Sequence, residues 1–213
     1  MIVVLGDMLD FPYLSTKFAR KHAAPQDLLG DLAVAREMLQ FYRANCGRLI
    51  FIEGNHEARF TNYIMECAPA LEPLVDGPLN LPALLNIEGM EYVGPYGEVF
   101  IYHSIVFKHG DVASQYAAHS ELTAEGSSGI SGHTHRLQVA ARSDRGGAHA
   151  WYSMPALCHV KGRRMPPGYH NGASIVRNQQ QGFGLVYCDE IFNIYPIIIT
   201  DGMAITPEGS FYA

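Results

Sequence analysis

The sequence predicts an α/β fold. Three observations predict it: apolar runs at residues 1–5 and 49–52 that end abruptly in polar loops, a helical stride of apolar residues over 28–45 between them, and strand-like runs through the last third of the chain. Residues 1–5 read as a buried strand that gives way at once to Gly6-Asp7-Met8-Leu9-Asp10. Leu28, Leu32, Ala35, Leu39 and Tyr42 keep the spacing of an amphipathic helix, and Gly47 stands where a terminating glycine is expected. Residues 49–52 form a second buried strand running into Glu53-Gly54-Asn55-His56-Glu57. Prolines at 69, 73, 78 and 82 divide residues 58–85 into short helical pieces, a cap or connecting segment. Strand material follows at 99–102 and 104–107, ending in Lys108-His109-Gly110-Asp111, after which Ser114 can cap a helix reaching Glu125. Gly129-Ile130-Ser131 then delivers Gly132-His133-Thr134-His135. Residues 137–142, 148–154, 183–188 and 191–200 read as consecutive antiparallel strands, with turns at Gly146-Gly147 and Asp201-Gly202.

The chain has 213 residues, a length that suits one domain spanning 1–213. With 48% hydrophobic and only 17% charged residues it can bury a sizeable core, which excludes disorder as a description of the whole. No stretch is long and apolar enough to span a bilayer and no signal peptide precedes Gly6, so the expectation is a cytoplasmic protein without a membrane partner. Four cysteines without a C-x-x-C pair read as reduced, buried thiols. A net charge of −6 argues against a broad basic face for extended duplexes but leaves room for a local groove. Lys161-Gly162-Arg163-Arg164-Met165-Pro166-Pro167 is the densest basic cluster and reads as a solvated loop or a grip on a phosphate backbone.

Four strand-like runs each end in a short loop that bears metal-ligand residues: Asp7 with Asp10, Asn55 with His56, His109, and His133 with His135. The carboxyl ends of strands in an α/β sheet converge on one crevice, so residues placed there meet without being neighbours in sequence. Each piece alone has an ordinary reading, a helix cap for Asp7 or an Asn-containing turn for Asn55. Two histidines two residues apart in a glycine-led loop rarely have a packing reason. Carboxylate, amide oxygen and imidazole together suit Mn²⁺, Fe or Zn²⁺ better than Ca²⁺, which prefers oxygen cages. His103 competes with His109 for the lone-histidine role; His109 is preferred because His109-Gly110 follows an apolar run. His22, His119, His149, His159 and His170 carry no ligand signature.

These motifs resemble the calcineurin-like metallophosphoesterases, whose pattern runs D-x-H, G-D-x-x-D, G-N-H-[DE], a lone His often followed by Gly, and G-H-x-H. The last four stand here as Gly6-Asp7-Met8-Leu9-Asp10, Gly54-Asn55-His56-Glu57, His109-Gly110 and Gly132-His133-Thr134-His135. Arg59, residues 151–158 and residues 179–183 look like phage-encoded members. The resemblance implies a four-layer αββα sandwich of two mixed sheets flanked by helices, and two divalent ions, Mn²⁺ first, with Fe, Zn²⁺ or Ni²⁺ as alternatives. Asp7 would bridge them; Asn55, His109 and His133 would complete one position and His135 would join Asp7 on the other. A metal-bound hydroxide would attack phosphorus in line, His56 would protonate the leaving oxygen, and Asp10 would hold the other nitrogen of His56 and fix its tautomer. Arg59 and Arg136 are the candidate contacts to substrate phosphate, with surface ion pairing as the ordinary alternative.

The D-x-H of the pattern does not occur before Gly6. The resemblance therefore implies a truncated version, with its first strand missing, an unpaired edge beside residues 1–5 and an incomplete second metal position. The expected activity is that of a metal-dependent phosphoesterase, foremost a phosphodiesterase or nuclease-type enzyme acting on nucleic acid or nucleotides. A phosphomonoesterase is the alternative within the enzymes, and a binding scaffold with weak or no catalysis the alternative outside them.

Overall fold

A computed structural model describes residues 1–15, 27–160 and 178–212; the basic cluster at 161–167, together with His22 and His170, lies outside the described residues. The fold is mixed α/β with three sheets and few helices. The chain divides into two compact units, Met1–Val99 and Phe100–Ala213.

In the first unit β1 (Ile2–Val4) is followed by a 3-10 turn at Pro12–Leu14, then by α1 (Leu28–Ala44) and β2 (Leu49–Ile52). Next come α2 (Ala58–Cys67), a 3-10 stretch at Pro69–Leu74, α3 (Leu81–Leu85) and β3 (Met90–Val93). The three strands form a parallel sheet in the order β1-β2-β3, with Val4 opposite Phe51 and Phe51 opposite Tyr92. Central β2 is buried at all four positions, as a parallel strand with neighbours on both sides should be. The helical stride of α1 puts Leu32, Ala35 and Leu39 into one cluster with Leu49 and Phe51, to which α2 adds Phe60 and Ile64 and α3 adds Leu81 and Leu85. The segment expected as a cap or connection is thus part of this unit's core.

In the second unit β4 (Phe100–Tyr102), β5 (Ile105–Lys108), α4 (Ala117–Glu125), β6 (Gly129–Ser131), β7 (Gln138–Asp144) and β8 (Gly147–Ser153) precede a C-terminal run of β9 (Gly182–Cys188), β10 (Phe192–Thr200), β11 (Met203–Thr206) and β12 (Gly209–Tyr212). One sheet is mixed, in the order β4-β5-β6-β8-β7, with β5, β6 and β8 parallel; the other is antiparallel, in the order β12-β11-β10-β9. Helix α4 connects β5 to β6 and packs Ala118 and Leu122 against Val106 and Trp151. Gly129 faces the Trp151 ring so closely that any Cβ there would run into it, while the indole N–H donates to the Ser131 hydroxyl at 3.0 Å and holds the ring in place. Gly129→Ala is therefore expected to destabilise the protein by about 1–3 kcal/mol through overpacking, read as a lower urea midpoint at unchanged slope.

Several expectations change. Two mixed sheets become three sheets, of which one is mixed, because β8 and β9 do not pair as consecutive strands; among the described residues one isolated bridge, Ala156 to Gln181, lies between them just outside both strands. Gly47 does not end α1: Asn45 does, with its N–H on the Tyr42 carbonyl and its side-chain amide on the Phe41 carbonyl. Ser114 does not cap α4, which starts after Tyr116. No cysteine is buried; Cys67 and Cys158 are exposed, and Cys46 and Cys188 are half-buried. Strands β3, β11 and β12 had no clear period to announce them. Among the described residues no helix is long and apolar enough to cross a membrane.

Candidate metal centre

The predicted site residues fall into two groups, one in each unit. In the first unit, β1 and β2 run parallel and in register, so the loops leaving their carboxyl ends are side by side. Asp7 and Gly54 come so near that a Cβ on Gly54 would strike the Asp7 main chain and carboxylate, which is why glycine is needed there. The Asp7 Oδ1 accepts the His56 N–H at 2.9 Å, and its Oδ2 lies 3.8 Å from His56 Nε2. On the other side of the ring, His56 Nδ1 is 2.6 Å from Asp10 Oδ1. Arg59 donates to the Asp10 main-chain carbonyl and, at 3.3 Å, to its carboxylate. Burial pushes the Asp10 pKa up, but the hydrogen bond and charge of His56, with Arg59 behind them, outweigh it and hold the carboxyl below its usual range. Asn55 sits half-buried in the turn between β2 and α2.

Glu57, to which the sequence reading assigned no role, organises this group. It is 1% exposed, and its carboxylate accepts three main-chain N–H groups: Asp7 and Gly54 on Oε2 at 2.8 and 2.9 Å, and Leu9 on Oε1 at 2.8 Å. One carboxylate thereby ties the Gly6-Asp7 loop to the Gly54-Asn55 loop. The only signal for it in the sequence is the acidic residue that closes Gly54-Asn55-His56-Glu57.

In the second unit the parallel pairing of Lys108 with Ser131 sends His109 and the Gly132-His133-Thr134-His135 loop off the same sheet end. His109 is buried, and its Nε2 lies 3.2 Å from His133 Nδ1, with Gly132 N–H bonded to the His109 carbonyl at 2.8 Å. The loop is pinned from beneath: the buried Thr134 hydroxyl meets Ser153 at 2.8 Å, and the His135 carbonyl accepts the Gln180 N–H at 2.9 Å. His103, the competitor, forms with Ser104 the two-residue turn of the β4–β5 hairpin, at φ 46 and 62, and stands at the end of β5 opposite His109. Arg136 donates to the Ser114 carbonyl at 3.0 Å and so turns toward the loop before α4.

The Lys108 ammonium is enclosed by acids, 2.6 Å from Glu121 Oε2, 2.8 Å from Glu125 Oε1 and 3.7 Å from Asp111 Oδ1. Burial lowers its pKa, but the hydrogen bonds to Glu121 and Glu125 prevail and push it up to about 12.

The backbone carries a second mark. Among the described residues, Asp7, His133 and His135 hold left-handed conformations at φ 56, 64 and 57, where a side chain costs about 1–2 kcal/mol. The strain at His103, Ser104 and Asp201 belongs to hairpin turns, at Phe11 to the start of a 3-10 turn and at Asn86 to the end of α3; at Asp7, His133 and His135 it coincides with predicted ligands. Comparisons of the chain with protein-family models, with curated proteins and with solved structures find no match.

Proposed function

We propose that this chain is a metal-dependent phosphoesterase that hydrolyses phosphodiesters of nucleic acid or nucleotides. The observation that carries the reading is the imidazole pair: the facing nitrogens of His109 and His133 are 3.2 Å apart. Two nitrogens on one ion, with bonds of about 2.0–2.1 Å at a tetrahedral angle, stand about 3.3 Å apart, so the donor pair fits a shared divalent ion. Within the second unit His109 and His133 offer this nitrogen pair. The resemblance adds His135, and Asp7 and Asn55 of the first unit, as the remaining ligands, and oxygen and nitrogen donors of these kinds suit Mn²⁺, Fe, Zn²⁺ or Ni²⁺. The strained backbone at Asp7, His133 and His135 supports the same assignment, and the resemblance of the four motifs to the calcineurin-like metallophosphoesterases, with their four-layer sandwich, agrees with it.

Bound ions would supply an acidified water and charge stabilisation at the phosphoryl oxygens. The chain's own residues do the rest. Glu57 holds the loops of Asp7 and Asn55 in place before any ligand arrives. Asp10 receives the Nδ1 proton of His56, which sets the tautomer and aims Nε2 away from Asp10. As the imidazolium, with a proton on each ring nitrogen, His56 delivers the Nε2 proton to the departing oxygen as the ester bond breaks and is left as the neutral Nδ1–H ring.

Arg59 and Arg136 each use a single nitrogen on protein acceptors, Nη1 on Asp10 and Nη2 on Ser114, and keep further N–H groups for a substrate phosphate. Diesters are placed ahead of monoesters on the resemblance of the motifs. The test is hydrolysis of bis-p-nitrophenyl phosphate against p-nitrophenyl phosphate with Mn²⁺. The diester is expected to have the higher kcat/KM; a clear preference for the monoester would make the protein a phosphatase, and no turnover of either would leave a binding scaffold.

A further inference from the structure

Glu121 lies on α4, outside every motif that pointed to a metal, yet it is 1% exposed and faces the loop that carries His109. One oxygen meets Lys108 Nζ at 2.6 Å; the other accepts the Asp111 main-chain N–H at 3.2 Å. Lys108 and Asp111 bracket His109-Gly110, so both ends of this short segment are tied to the same carboxylate. Gly110 fits because it has no side chain: it stands at φ +96, and a Cβ there would lie 3.2 Å from Glu121 Oε1, 3.1 Å from Ser131 Cβ and 3.6 Å from His133 Cβ. Lys108 is confined as well, with Glu125 at 2.8 Å and the Trp151 ring centre at 5.7 Å.

From this geometry we infer that Glu121 is a positioning residue for the metal centre, one that fixes the His109 imidazole against His133 by clamping the backbone on either side of it. The inference rests on the metal reading of His109 and His133. A buried ion pair adds little to stability compared with apolar residues of the same shape, whereas groups that hold a ligand from behind typically govern metal affinity by about 10- to 100-fold. The clamp is therefore expected to act on affinity more than on folding.

The experiment titrates Co²⁺ into metal-free full-length protein and follows the visible absorption of the bound ion alongside the thermal midpoint. Wild-type protein should develop the absorption, and His133→Ala should abolish it. The paired substitution Lys108→Met with Glu121→Leu removes both charges and the acceptor for Asp111 N–H; it is expected to keep a near wild-type midpoint while Co²⁺ affinity falls about 10- to 100-fold and the spectrum changes. Glu121→Gln retains an oxygen for Asp111 and should lose less affinity. Should the paired variant not fold, Glu121→Gln decides, with weaker Co²⁺ binding and an altered spectrum expected. Wild-type affinity and spectrum in whichever folded variant is read overturn the inference while leaving the metal reading intact. No Co²⁺ absorption in wild-type protein overturns the metal reading itself, and the inference with it.

Discussion

Glu57→Ala is expected to cost about 3 kcal/mol or more of unfolding free energy, and to remove divalent-ion uptake even where the variant is still folded. The carboxylate is buried and accepts three main-chain N–H groups, those of Asp7, Leu9 and Gly54. Each N–H left buried without an acceptor costs about 1–3 kcal/mol, and alanine leaves all three. Glu57→Gln keeps one oxygen and turns an NH₂ toward the remaining donors, so it should fall between wild type and alanine. Urea unfolding gives the order: wild type, then glutamine, then alanine. Stability within about 0.5 kcal/mol of wild type in the alanine variant would mean that the two loops hold their conformations without this carboxylate.

His56→Asn is expected to lower diester turnover by about 10²- to 10⁴-fold, the usual effect of losing a general acid, with KM and metal content nearly unchanged. The separation follows from the bonds His56 makes. Its main-chain N–H, which any residue supplies, is what bonds Asp7 Oδ1 at 2.9 Å; its ring is what meets Asp10 at 2.6 Å. The substitution thus removes the proton donor and leaves the Asp7 contact in place. The deficit should grow with poorer leaving groups, since a nitrophenolate departs with little help and a nucleoside alkoxide needs a proton. Asp10→Asn should show the same trend more weakly, because it loosens the tautomer of His56 and keeps the ring. Wild-type rates in His56→Asn on a substrate with a poor leaving group would take His56 out of the mechanism.

Much of this was legible in the residues. Strands β1, β2, β5 and β6 are short apolar runs cut off by glycine-led polar loops, and their parallel pairing is what sets Asp7 beside Asn55 and His109 beside His133. Helix α1 announced itself by period. What the sequence hid depended on tertiary partners. Glu57 reads as one more acid beside a histidine; its use depends on main-chain groups as far as 50 residues away in the chain. Glu121 sits mid-helix, where an acid normally faces solvent. Strand β3 has only one exposed position and no alternation, and β12 is exposed throughout, so neither shows the period of a half-buried strand. The stop of α1 and the start of α4 differ from expectation because asparagine and tyrosine occupy the cap positions where glycine and serine were expected, while the start of α1 at Leu28 and the end of α4 at Glu125 are as expected. Arg59 had two readings, phosphate or ion pair, and only the structure shows its contact with Asp10.

The most direct measurement is anomalous diffraction at the manganese edge from crystals grown with Mn²⁺. The proposed account predicts a strong peak within bonding distance of His109 Nε2 and His133 Nδ1, lost in crystals of His133→Ala. A clean anomalous map with no peak there, or a peak that survives the substitution, would contradict it.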